Sequence, residues 1–192
     1  MAVSTRPDRL HFAGNDEADK LLADEPFALL VGFALDQQVP VQTAFSGPLK
    51  MKQRLGTLEP GKLASTDPAK LEAAFREKPA VHRFPGTMAQ RVQDLARAIA
   101  DDYGGRAERV WEAARDGRDL EARIRALPGY GDMKVRALLG VLGKRFRVSL
   151  PGMDDVVPKH PTLGDVDSAE ALAEYQAKKR AHKAEMRAQQ KA

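Results

Sequence analysis

Apolar residues along this chain fall in windows of helical period, filled out by Ala, Leu, Arg, Glu and Lys. Val, Ile and Thr do not gather into alternating runs. Asn15-Asp16-Glu17 predicts the cap of a short helix over 18–23 that ends before Pro26. Residues 27–38 are apolar almost all round and close on Asp36, Gln37 and Gln38, which predicts a helix running through the core. An amphipathic stretch over 41–55 reads as broken near Gly47-Pro48. Asp67 as N-cap with Pro68 at the first helical position starts another helix, with Leu71, Ala74 and Phe75 on one face, stopping before Pro79. A turn at 84–87 leads into a long helix over 88–103 with a stripe of Val92, Leu95, Ala96 and Ile99, ended by Gly104-Gly105.

A helix holding Val110 and Trp111 follows, then one over 119–126 and one over 134–146. Residues 1–15 and 147–167 read as irregular, and 168–192 as a polar helix. The fold class expected is all-α, in a main domain over 1–167 and a basic helical tail over 168–192.

Between the helices over 119–126 and 134–146 stands Leu127-Pro128-Gly129-Tyr130-Gly131, followed at once by Asp132-Met133-Lys134. Leu120, Ile124 and Leu127 face Val135, Leu138, Leu139 and Leu142 at helical spacing, so two helices packed over a tight glycine hairpin are expected. The free N–H groups and positive dipole end of the second helix suit a phosphate. The plainer reading is an ordinary helical corner in which Pro and Gly are turn residues.

Composition narrows the chemistry more than the charge does. The 192 residues contain no cysteine, which excludes disulfides, thiolate metal sites, iron–sulfur clusters and a cysteine nucleophile. Four histidines are scattered without ligand spacing, so no metal site is indicated. A net charge of +4 and a pI of about 9.4 favour a polyanionic partner only slightly. No apolar run approaches a membrane span, and the N-terminus lacks the apolar segment of a secretion signal; a cytoplasmic location is the expectation.

Leu127 to Lys134, continued by Val135-Arg136-Ala137-Leu138-Leu139-Gly140, resembles the helix-hairpin-helix of the base-excision DNA glycosylase superfamily, HhH-GPD. The segment 30–44, with its Gln37-Gln38 pair, and the segment 84–96 are similar to two further family stretches, in family order. The resemblance implies a two-lobed all-α fold with a DNA cleft between the lobes, acting as a monomer on double-stranded DNA that carries a damaged base. It implies hydrolysis of the N-glycosidic bond of a flipped-out base. Within this DNA-binding stretch Gly129 and Gly131 would hold a phosphate through their N–H groups, with Leu127 and Pro128 shaping the turn, Lys134 adding a contact and Tyr130 touching the DNA backbone. Gln37 and Gln38 would lie near the opened duplex; the alternative is a polar helix end. No cofactor is expected beyond a monovalent cation at the hairpin.

Two chemical groups of the family are displaced here. The lysine that bifunctional members carry at the seventh hairpin position is replaced by Met133, and Lys134 lies one residue, about 100° of helix, further on. A monofunctional enzyme using water is therefore expected. The family's catalytic aspartate falls nearest Asp154 and Asp155, with Asp165 a third candidate; the alternative is that Asp154 and Asp155 are plain loop acids. A DNA-binding protein that keeps the fold without the chemistry is the competing reading, and a helical protein-interaction domain the weaker third. The tail, with Lys178, Lys179, Arg180, Lys183, Arg187 and Lys191 against Glu185, is either a solvated helix or an electrostatic arm on DNA.

Overall fold

In the computed structural model, which describes residues 4–189, Asn15 accepts the Ala18 N–H at 3.0 Å and so starts α1 (Asp16–Asp24). Within α1 the buried Asp19 carboxylate accepts the N–H groups of Phe12 and Ala13 at 2.8 and 2.9 Å. Those bonds anchor the lead-in, whose Leu10 and Phe12 enter the core. Helix α2 (Pro26–Leu35) is buried at every position from Phe27 onward, as its apolar circumference requires. Gly32 lets the Phe45 ring lie against the helix, since a Cβ there would stand 2.5 Å from that ring.

The break expected at Gly47-Pro48 does not occur: α3 (Val41–Leu55) runs through Pro48 without interruption. Proline forfeits one helical N–H, but Gly47 and Pro48 are both buried, and a Cβ at Gly47 would stand 2.5 Å from Leu35. Packing outweighs the lost bond. Helix α4 (Pro60–Ser65) is too short to show a period in the sequence. Helix α5 (Pro68–Arg76) starts as expected, Asp67 accepting the Lys70 N–H at 3.1 Å. Buried Gln93 donates to the Thr66 carbonyl at 2.7 Å and holds the junction between these two.

Gln93 belongs to α6 (Pro85–Tyr103), which begins within the expected turn because Pro85 suits a first helical position. Helices α7 (Arg109–Glu112) and α8 (Gly117–Arg125) follow, the latter capped by Asp116 through the Asp119 N–H at 2.8 Å. Helix α9 (Asp132–Lys144) starts directly after the hairpin. The stretch 147–167 is less irregular than its Pro and Gly content suggests, holding α10 (Met153–Val156) and a 3-10 turn (Leu163–Asp165). The tail forms α11 (Ala169–Gln189); Lys191 lies outside the described residues.

Helix α2 touches α1, α3, α6 and α9 and is the axis of one continuous core. Burial contributes about 1.5–3 kcal/mol for each large apolar side chain of that helix. Trp111 and Phe146 are core residues, their rings 6.4 Å apart. The 3-10 turn lies directly on α9: a Cβ at Gly164 would stand 2.3 Å from the Gly140 carbonyl oxygen. Among the described residues there is no β-strand, and no helix is long and apolar enough to cross a membrane.

Candidate functional site

At Gly129 the hairpin requires glycine. Gly129 has φ +84°, and a Cβ there would stand 2.7 Å from Cδ of Arg91 on α6, so a side chain is strained by backbone and by space together. Gly131 is the N-cap of α9 and offers no side-chain cap, leaving the first N–H groups of that helix directed outward. The Tyr130 N–H closes the turn on the Leu127 carbonyl at 3.2 Å. The Tyr130 ring does not reach the surface as expected for a residue touching DNA. It is buried, and its hydroxyl donates to the Leu30 carbonyl of α2 at 2.7 Å. A turn residue that sits over a core helix gains more from burying an aromatic ring than from exposing it.

Met133 and Lys134 show the offset that one residue of helix imposes. Met133 is 78% exposed, whereas Lys134 turns inward, its ammonium donating to the Ala34 carbonyl at 2.9 Å. Lys134 thus caps the C-terminus of α2, where the helix dipole favours a cation. Burial, with the Arg91 guanidinium nearby, lowers its amine from the usual lysine range to about 8; Asp36 opposes that fall.

Where α2 ends, Asp36 is the C-cap, and Gln37 and Gln38 form a bend in which Gln38 takes φ +56°. Two residues far along the chain fix this bend. The Arg91 guanidinium donates to the Gln37 side-chain oxygen. Buried His82 accepts the Phe84 N–H on Nδ1 at 3.1 Å, so its proton sits on Nε2 and is donated to the Gln37 carbonyl at 3.1 Å. Burial lowers the His82 pKa, which keeps the ring neutral. Neither Arg91 nor His82 announces this role in the sequence, because both act across more than forty residues.

The hairpin, the start of α9, the end of α2 and one face of α11 together enclose a cleft of about 1040 Å³. Gly129, Gly131, Lys134, Gln37 and Gln38 all line it, as does the exposed Met133. Its walls carry the cations Arg83, Lys134, Lys179, Arg180 and Lys183 against the acids Asp36 and Asp132. Asp132 is outward and paired with Arg125 at 3.0 Å. Asp36 is half-buried; burial raises its pKa, and Lys179 and Lys134 oppose the rise. It is the acid on the inner wall that sequence reasoning missed, although it stands beside the glutamine pair.

The expected acids lie elsewhere. Asp154 and Asp155 are exposed on α10, outside the cleft lining. That short helix packs on α8 and on the far half of α9, where a Cβ at Gly143 would stand 2.7 Å from Val157. Gly143 is roughly 14 Å along α9 from Lys134, which puts Asp154 and Asp155 toward the end of that helix remote from the hairpin. Asp165 is engaged in structure: its carboxylate accepts from Lys144 at 2.8 Å and from the Thr162 N–H at 2.8 Å. Among the described residues no group of three His, Cys, Asp or Glu side chains is gathered to hold a metal ion.

The family model for the HhH-GPD superfamily base excision DNA repair protein matches residues 31–191, a span that takes in the glutamine bend, the hairpin and α11. No curated protein and no solved structure matches the chain.

Proposed function

The chain belongs to the HhH-GPD superfamily of base excision DNA repair proteins, and from that premise we propose that it is a monofunctional DNA glycosylase whose carboxylate is Asp36. The observation that carries the reading is the cleft itself, which brings the hairpin, the glutamine bend and a half-buried carboxylate to one wall. The Gly129–Gly131 hairpin and the start of α9 hold a backbone phosphate of double-stranded DNA. The damaged nucleotide leaves the stack and enters the cleft, where Gln37 and Gln38 hydrogen-bond the opened duplex.

As the N-glycosidic bond breaks, the base departs with the bonding electrons and positive charge develops on the sugar. Asp36, ionised, stabilises that charge and accepts a proton from the water that attacks C1′. The proton then passes to the departing base. Lys134 is engaged with the Ala34 carbonyl, and Met133 holds the position where a lysine nucleophile would stand, which supports water as the attacking group.

Duplexes carrying uracil, alkylated purines or 8-oxoguanine test this reading by release of free base. Abasic product without strand scission is expected on at least one lesion, and borohydride should trap no protein–DNA adduct. Folded protein that binds these duplexes and releases no base overturns the enzymatic reading. That outcome favours a DNA-binding protein without the chemistry, a reading to which the remote placement of Asp154 and Asp155 lends support.

A further inference from the structure

Only the first two turns of α11 pack on the rest of the protein. Leu172 is buried, Tyr175 and Gln176 are half-buried, and the Gln176 and Gln42 side chains exchange hydrogen bonds at 2.8 and 3.1 Å. From 177 to 189 every residue is exposed. Among the described residues, no hydrogen bond or ion pair joins that stretch to another element; Lys178 pairs with Glu174 inside the same helix. A free-standing helix of this length buries no apolar face and is marginal in water. It carries Lys178, Lys179, Arg180, Lys183 and Arg187 against Glu185, a charge excess that disfavours the isolated helix and calls for an anionic partner.

The cations are also arranged. Tyr175, Gln176, Lys179, Arg180 and Lys183 all line the cleft, at the spacing of one helix face. Arg187, four residues beyond Lys183, continues the same row past the cleft mouth. The row starts at the Gln42 anchor and faces the wall that carries Lys134 and the hairpin.

We propose that residues 177–189 of α11 are a cationic arm that lies along the backbone of the DNA held at the hairpin, with Lys179, Arg180 and Lys183 as its phosphate contacts. The arm rests on the reading of this protein as a DNA-binding glycosylase and adds to it a second, sequence-independent grip. Its contacts are to phosphates, so they raise affinity and fix the approach of the duplex without selecting a base.

The test is the salt dependence of binding to a plain duplex, measured with the whole chain by fluorescence anisotropy. Each phosphate neutralised contributes about 0.9 to the slope of log K against log salt. Replacing Lys179, Arg180 and Lys183 together by Ala should reduce the slope by about 2 to 3. Replacing Lys62, Lys70 and Arg97, exposed cations on α4, α5 and α6 away from the cleft, removes the same charge and should leave the slope unchanged. Alanine is the best helix former, so α11 keeps its helix in the first variant. An unchanged slope in the arm variant, or an equal fall in both variants, overturns the proposal while leaving DNA binding intact. A parent protein without salt-dependent binding overturns the arm and the underlying reading together.

Discussion

The Tyr130 hydroxyl at the hairpin tip donates to the Leu30 carbonyl on the core helix α2 at 2.7 Å, across one hundred residues of chain. The bond fastens the glycine turn to the most deeply buried element. Tyr130→Phe removes only the hydroxyl and should lower the unfolding free energy by about 0.5–1.5 kcal/mol, read from urea melts. A variant as stable as the parent would mean that the turn is held by ring burial alone.

Asp36→Asn should separate grip from chemistry. It removes the negative charge from the inner wall of the cleft and keeps the shape of the side chain. Base release should fall about 100-fold or more, while affinity for an abasic-site duplex stays level or tightens slightly. Asp154→Asn with Asp155→Asn should leave both readouts unchanged, since neither side chain lines the cleft. Parent-like turnover by Asp36→Asn would exclude it as the carboxylate.

The Lys134 amine, held to about 8 by burial, makes stability depend on pH in a definite direction. In the unfolded chain a lysine titrates near 10.4. Between the two values the unfolded chain binds more protons, so stability rises with pH there. Below pH 8 that gain is absent. Measured against Lys134→Met, the parent should gain unfolding free energy from pH 8 to pH 10. A difference that stays flat over that range would show that the amine is not held low.

His82 makes the opposite end of the pH scale informative. Its folded pKa is lowered below the ordinary 6.5 by burial, so on acidification the unfolded chain takes up the proton first. Stability tied to this ring is present above pH 6.5 and is lost as pH falls below it. Nitrogen NMR should show the neutral Nε2–H tautomer at pH 7 and a midpoint under 6.5. The Nδ1–H tautomer would contradict the bonds to Phe84 and Gln37.

The helices are largely legible in the sequence: α5 and α9 each bury a face that repeats at helical period, and α2 is apolar almost all round. The hairpin is legible because Gly129 takes a positive φ that favours glycine, whereas the Arg91 side chain pressed against it leaves no local signature. The continuity of α3 through Pro48 was not legible, since what offsets the missing N–H is contact with Leu35, from another helix. The place of Asp36 in the cleft is not legible for a related reason. Spacing from the hairpin points to Asp154 and Asp155, but α10 folds back on the far half of α9. Asp36 reaches the cleft because α2 ends opposite the start of α9, a juxtaposition with no local signature.

Helix α2 meets the hairpin side of the protein at two carbonyls one turn apart, Leu30 under Tyr130 and Ala34 under Lys134. Two fastenings on one rigid rod leave little freedom to slide or twist between the turn and the bend that follows the rod. The molecule therefore contains a built-in gauge. Under the proposed function, with the turn on one DNA phosphate, Asp36 and the glutamines would stand over a nucleotide at a fixed offset from it. The position along the strand would be chosen by the scaffold, and what the nucleotide carries would be judged only afterwards.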